Sequence, residues 1–237
     1  MAAVLVAAWV LAGCGEDERR SGAPPAHAPS REVRFRAPDG LQLQGTLAAP
    51  GDAKPAVALV NTSNTAGPRF DALAAELNSA GFTTLSFTAR AKFTSLRDVT
   101  AENNERTVSL DVTGAVRFLR RAPEADPRRI GLFAQSMGAA AVLYAAGTRD
   151  APRVAATVGL SPPDSADIFR FQTAGRYRLH DALLIADEVE LINSQNLVDG
   201  ARRSEVWKAP IRGHGAALLP DERVRSRILD WFRDRLG

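Results

Sequence analysis

A chain in which short, continuously apolar runs alternate with stretches of helical period has few folds open to it. Here PAVALV (Pro55–Val60) is such a run, and FTTLSFT (Phe82–Thr88), RIGLFA (Arg129–Ala134), RVAATVGL (Arg153–Leu160), ALLIA (Ala182–Ala186) and SEVWKAP (Ser204–Pro210) also read as strands. A strand without polar alternation is buried on both faces, as happens when helices cover a parallel sheet from each side. Between the runs lie stretches that predict helices. Arg69–Phe82 carries Phe70, Leu73 and Leu77 at helical spacing and Gly81 as a stop. Thr107–Ala122 puts Val108, Val112, Val116 and Leu119 on one face, Gly138–Ala146 is built of small residues, and Ile192–Arg203 is also helical. An amphipathic helix over Asp221–Leu236 closes the chain. Ahead of them all, Glu32–Pro50 alternates apolar and polar residues around the turn signal Pro38-Asp39-Gly40, the pattern of a β-hairpin. The expectation is an α/β fold: a mostly parallel central sheet with an N-terminal antiparallel hairpin and helices on both faces. Pro162–Asp181 has no clear period and is expected to form a short cap over the site.

In such a sheet, chemistry collects at the carboxyl ends of the strands. At the end of RIGLFA the sequence reads A-Q-S-M-G, with Ser136 at the joint between strand and helix. A serine raised on so sharp a turn needs small residues two positions away on each side, here Ala134 and Gly138. The same geometry turns the Met137 N–H toward the site as a donor for a developing oxyanion. A serine at this point also serves as an ordinary helix N-cap, so its role depends on its partners. Of the three histidines, His27 lies in a polar N-terminal stretch and His180 precedes a strand, at the wrong end of the sheet. His214, in IRGHGAALLP between the last strand and the last helix, has a glycine on each side that frees the loop to present an imidazole. A histidine acting as base needs a carboxylate to fix its tautomer. Asp187, Glu188 and Glu190 follow ALLIA, and Asp164 follows the preceding strand.

The order serine, acid, histidine is that of the α/β-hydrolases, and nearly all of Arg31–Gly237 resembles that superfamily. APDGLQLQGTLAAP resembles its hairpin, PAVALVNTS its oxyanion strand, and GFTTLSFTARAKFTS its strand ending in D-x-R-G-x-G-x-S. In length and layout the chain is similar to small esterase-like and dienelactone-hydrolase-like members, which have little or no lid. The resemblance implies Ser136 as nucleophile, His214 as base and Glu190 as orienting acid, with Asp187 the alternative. It implies an oxyanion hole from the N–H groups of Met137 and of Ser63 or Thr62. The activity implied is hydrolysis of an ester or related acyl bond of a small-molecule substrate through an acyl-enzyme intermediate. The chain departs from the family where Asn61-Thr62 replace the usual His-Gly, Thr88 replaces the aspartate of D-x-R-G, and Ala91 and Phe93 replace two glycines. These departures favour the other reading, a non-catalytic hydrolase-fold lipoprotein that binds a ligand or partner.

The start of the chain carries a separate message. MAAVLVAAWVLAGC is apolar up to Cys14, too short to span a bilayer at ~20 residues but suited to the core of a signal peptide. Leu11-Ala12-Gly13 before the single cysteine resembles the lipobox of bacterial lipoproteins, although no Lys or Arg precedes the run. The expected organisation is a signal peptide over 1–14 ending at a lipidated Cys14, a flexible tether over 15–30 and one domain over 31–237. That places the protein in the bacterial cell envelope, held to a membrane by lipid and facing outside the cytoplasm. Lys and Arg number 30 against 27 Asp and Glu, scattered without a basic stripe, so nucleic acid is not an expected partner. Three scattered histidines and one cysteine offer no ligand cluster, so neither a metal nor an organic cofactor is expected. Cys14, ahead of a polar tether, makes a poor thiol nucleophile.

Overall fold

The computed structural model describes residues 28–62, 70–90, 105–148 and 153–237. The expected signal segment at 1–14 with Cys14, most of the expected tether at 15–30, and Ser63, Ala91, Phe93 and Ser95 lie outside the described residues. The first strand opens at Ser30, one residue before the expected domain boundary.

The elements follow the alternation in the sequence. They are β1 (Ser30–Arg36), β2 (Gln42–Ala48), β3 (Lys54–Asn61), α1 (Asp71–Ser79), β4 (Thr83–Thr88), α2 (Glu105–Leu119), β5 (Ala125–Gln135) and α3 (Ser136–Gly147). After them come β6 (Ala156–Leu160), α4 (Ala166–Thr173), β7 (Ala182–Ala186), α5 (Leu191–Val198), β8 (Glu205–Lys208), a 3-10 turn at Gly215–Leu218 and α6 (Glu222–Leu236). The eight strands form one sheet in the order β1-β2-β4-β3-β5-β6-β7-β8. β1 with β2 and β2 with β4 are antiparallel, and every later pairing is parallel.

The central strand β3 divides its side chains between two of the three core clusters. Ala56, Ala58 and Val60 of β3 join Val108, Val112, Val116 and Leu119 of α2 and Ala141 and Val142 of α3. Val57 and Leu59, the alternate residues, join Leu73 and Leu77 of α1 and Val224, Ile228 and Phe232 of α6 on the other face. Phe133 of β5 is wholly buried on that second face, edge-on to Phe70 with ring centroids 5.1 Å apart. α3 lies close to the sheet because both surfaces are small. A Cβ on Gly159 of β6 would stand 3.2 Å from the Ala139 Cβ and 3.1 Å from Leu184 Cδ2. This close seat fixes where the first residue of α3, Ser136, emerges.

The structure corrects or extends the sequence reading at three places. The stretch Pro162–Asp181 is not without regular structure: it contains α4, whose N-cap Ser165 accepts a hydrogen bond from the Ile168 N–H at 3.0 Å. The helix expected over Ile192–Arg203 spans only Leu191–Val198, because Asp199 leaves helical geometry and Gly200 takes φ +69°. The loop carrying His214 runs straight into a 3-10 turn that no periodicity signalled.

Candidate active site

β5 ends in extended backbone at Gln135 (φ −127°, ψ 156°), and α3 begins at the next residue. The whole change of direction falls on Ser136, at φ +51°. A non-glycine residue in this left-handed region costs ~1–3 kcal/mol and persists only where its surroundings enforce it. The strain raises Ser136 at the carboxyl end of β5. The alanine at the position where the family pattern has glycine is accommodated from the other side of the turn. A Cβ on Gly138 would lie 3.3 Å from the Ala134 Cβ and 3.2 Å from Thr62 Cγ2, so Gly138 leaves the room that Ala134 takes up.

His214 comes from the loop after β8, between Gly213 (φ +151°) and Gly215 (φ +57°). Its Nε2 lies 2.9 Å from Ser136 Oγ and its Nδ1 2.6 Å from Glu190 Oε1. Glu190 itself occupies the N-cap position of α5 without capping it, which leaves its carboxylate available. A carboxylate only accepts, so Nδ1 donates to Glu190 and Nε2 is left to accept from the serine hydroxyl. An imidazole held this way can take the serine proton and share the resulting positive charge with Glu190.

Of the candidate residues, the structure thus brings together Ser136, His214 and Glu190. Asp187, the alternative acid, is not against His214. Its Oδ1 accepts from the N–H groups of Val189 and Glu190 at 3.0 and 3.2 Å, and its Oδ2 from the Gly213 N–H at 3.2 Å. The Gly213 N–H, then those of Glu190 and Val189, hold the Asp187 carboxyl below its ordinary value against the opposing effect of burial. Glu188 pairs with Lys208 at 3.1 Å in the open, and Asp164 is exposed. His180 sits at the amino end of β7, with Nδ1 2.9 Å from Asp181 Oδ2.

Met137 stands in the first turn of α3, where backbone N–H groups have no partner within the helix. Thr62, at the end of β3, is buried beside Gly138 at the same edge. Arg90, which the sequence keeps from the D-x-R-G pattern, is engaged elsewhere. It donates through Nε and Nη2 to the buried Asp111 at 2.9 and 2.6 Å and pairs also with Asp39 in the hairpin turn. Asp39 and Asp111 together raise the Arg90 pKa, and Arg90 in turn lowers that of Asp39. Among the described residues, no group of His, Cys, Asp and Glu side chains could hold a metal ion, and no helix is long and apolar enough to cross a membrane.

No family model matches the chain. The thiohydrolase apmlB of Arthrinium phaeospermum is 31% identical over 159 residues, 67% of this chain and 50% of that protein. The chain therefore spans about half the length of the curated relative it matches. Among solved structures, a dienelactone hydrolase from Anabaena variabilis superimposes with a TM-score of 0.69 at 18% identity, covering 90% of this chain and 100% of its own. The carboxylesterase EstE1, cloned from a metagenomic library, gives 0.65 at 15% identity, covering 91% and 92%. The chain has the α/β-hydrolase fold. Within the α/β-hydrolase fold, Ser136 occupies the corner after the fifth strand, and His214 and Glu190 come from the loops after β8 and β7.

Sequence reasoning missed a groove beside α5, the helix that follows Glu190. It measures about 900 Å³ between α4 and α5 and is lined by Phe169, Ile192 and Leu197 among polar residues. Phe169 and Ile192, with Val189 next to Glu190, are three of the four large hydrophobic residues exposed among those described. No periodicity could have found it, since the two helices that form it are each only eight residues long.

Proposed function

We propose that this chain is a serine hydrolase that cleaves an ester or thioester through an acyl-enzyme intermediate on Ser136. The observation that carries the reading is the unbroken relay from Ser136 Oγ through His214 to Glu190, at 2.9 and 2.6 Å, joined to the left-handed backbone of the serine. The match to a thiohydrolase supports including the thioester.

Ser136 Oγ attacks the acyl carbonyl carbon while its proton passes to His214 Nε2, and Glu190 stabilises the imidazolium. The carbonyl oxygen, now an anion, is held by the N–H of Met137 and by one from Thr62 or Ser63. The intermediate collapses as His214 returns the proton to the leaving alcohol or thiol, which breaks the C–O or C–S bond. Water then repeats the sequence on the acyl-enzyme, freeing the acid and restoring Ser136. Neither a metal nor an organic cofactor takes part. Cys14 carries the lipid anchor of this reading, which sets the hydrolase on a membrane of the bacterial cell envelope, outside the cytoplasm. Detergent phase partition of the full chain checks it: Cys14→Ala moves the protein from the detergent to the aqueous phase.

The altered Asn61-Thr62 step favours a second reading, a hydrolase-fold lipoprotein that binds without turnover. Rates on nitrophenyl esters and acyl thioesters of increasing chain length, for wild type and Ser136→Ala, separate the two. Turnover that disappears with Ser136→Ala supports the enzyme. Equal rates in the two proteins overturn the assigned nucleophile, and no turnover by folded wild type supports the binder.

A further inference from the structure

The hydrogen bonds around His214 follow a pattern that the relay itself does not require. The loop bearing it crosses the carboxyl ends of three neighbouring strands, and each strand end gives one side-chain acceptor to the loop backbone. The Gly213 N–H donates to Asp187 Oδ2 at 3.2 Å, the Gly215 N–H to Ser161 Oγ at 2.9 Å, and the Ala216 N–H to Gln135 Oε1. Gln135 is the last residue of β5, while Ser161 and Asp187 directly follow β6 and β7. The register Gln135↔Leu160 and Leu160↔Ile185 puts the three at nearly one level across the sheet.

We infer that Gln135, Ser161 and Asp187 form one positioning set that fixes the His214 imidazole between Ser136 and Glu190. The inference rests on the reading of Ser136 and His214 proposed above. Three further features support it. First, His214 has little packing of its own: its side chain is 55% exposed and glycines flank it, so without outside acceptors the loop is free to wander. Second, the contacts are built at a conformational cost. Ser161, like Ser136 one strand over, holds a non-glycine left-handed backbone at φ +46°. Gly215 leaves the space into which Gln135 fits, since a Cβ there would come 2.5 Å from Gln135 Oε1. Third, Asp187 ties two members of the relay together. One carboxylate oxygen holds the backbone N–H of Glu190 and the other that of Gly213, next to His214, so the acid and the imidazole are referred to a single group. Gln135 likewise adjoins Ser136. Ser136 and Glu190 are thus one covalent or hydrogen-bonded step from the set, and His214 lies between the two glycines that the set holds.

The test combines kinetics with proton NMR of the full chain. Gln135→Met and Ser161→Ala remove an acceptor and little volume, and Asp187→Asn leaves one acceptor oxygen where there were two. Misplacement of a reacting group by about an ångström lowers rates by up to roughly 10²-fold, so each variant is expected to lose ~10–10²-fold in kcat with KM unchanged. Gln135→Glu, which keeps an acceptor oxygen, is expected to retain most of the rate. The downfield resonance of the His214 Nδ1 proton shared with Glu190 should move upfield or broaden in Gln135→Met and Ser161→Ala. Because that resonance reports the pair whether or not the protein turns over substrate, it separates the two claims. A wild type without hydrolysis defeats the functional reading alone. Folded variants with unmoved resonances defeat the positioning set, even where kcat falls. Should Gln135→Met not fold, Ser161→Ala, which loses a single hydroxyl, decides the question.

Discussion

Among the described residues, two histidine–carboxylate pairs lie at opposite ends of the sheet. At the carboxyl end, His214 Nδ1 meets Glu190 at 2.6 Å; at the amino end, His180 Nδ1 meets Asp181 at 2.9 Å. The pairs differ in what surrounds the carboxylate. Asp181 is buried and also receives Arg203 at 2.6 Å and Arg235 at 3.3 Å, and Arg235 lies 3.7 Å over the Trp231 ring. Its charge is thus satisfied several times over, and it pins β7 to α6. Among the described residues Glu190 pairs with His214, and the far nitrogen of that ring points at a strained serine. A histidine beside an acid is therefore not a catalytic feature by itself. What sets the pair at the carboxyl end apart is the third partner, the hydroxyl of Ser136.

The largest expected effect breaks this contrast outright. Ser136→Ala should lower kcat by ~10⁶-fold, against an unchanged rate for His180→Ala, both read on nitrophenyl esters. Next, Glu190→Gln leaves the geometry but no longer fixes the tautomer, for a loss of ~10³–10⁴-fold in kcat. Asp181→Asn should cost ~1–3 kcal/mol in denaturant unfolding and nothing in kcat, because it strands arginines rather than a reacting group. Smallest is a pH effect. Asp187 has a depressed carboxyl in the folded state, so its contribution to stability is present above its unfolded value of about 3.9 and is lost as pH falls through the folded value. The unfolding free energies of wild type and Asp187→Asn should differ near neutrality and converge in acid.

The sheet was legible because burial on both faces leaves a mark that no loop imitates: PAVALV has no polar residue to turn outward. Ser136 and His214 were legible for a similar reason, since a sharp corner and a free loop each demand small neighbours. The acid was not. Asp187 and Glu190 both follow ALLIA, and only the turn between them decides which reaches the imidazole. Asp187 is drawn back onto the N–H groups of its own turn, a common habit of aspartate at loop starts, and Glu190 is thereby released toward His214. α4 escaped notice because, among its described side chains, Ile168 alone is wholly buried, beside the exposed Phe169. The cue for it was Ser165 after two prolines, a cap signal rather than a periodicity.

The most direct measurement is the site at which a fluorophosphonate probe attaches to the folded protein, mapped by peptide mass spectrometry. The expected result is a single adduct on Ser136, formed far more slowly in Glu190→Gln and absent in His214→Ala. An adduct on another residue, or none on folded wild-type protein, would contradict the assignment of this serine, imidazole and carboxylate as one catalytic unit.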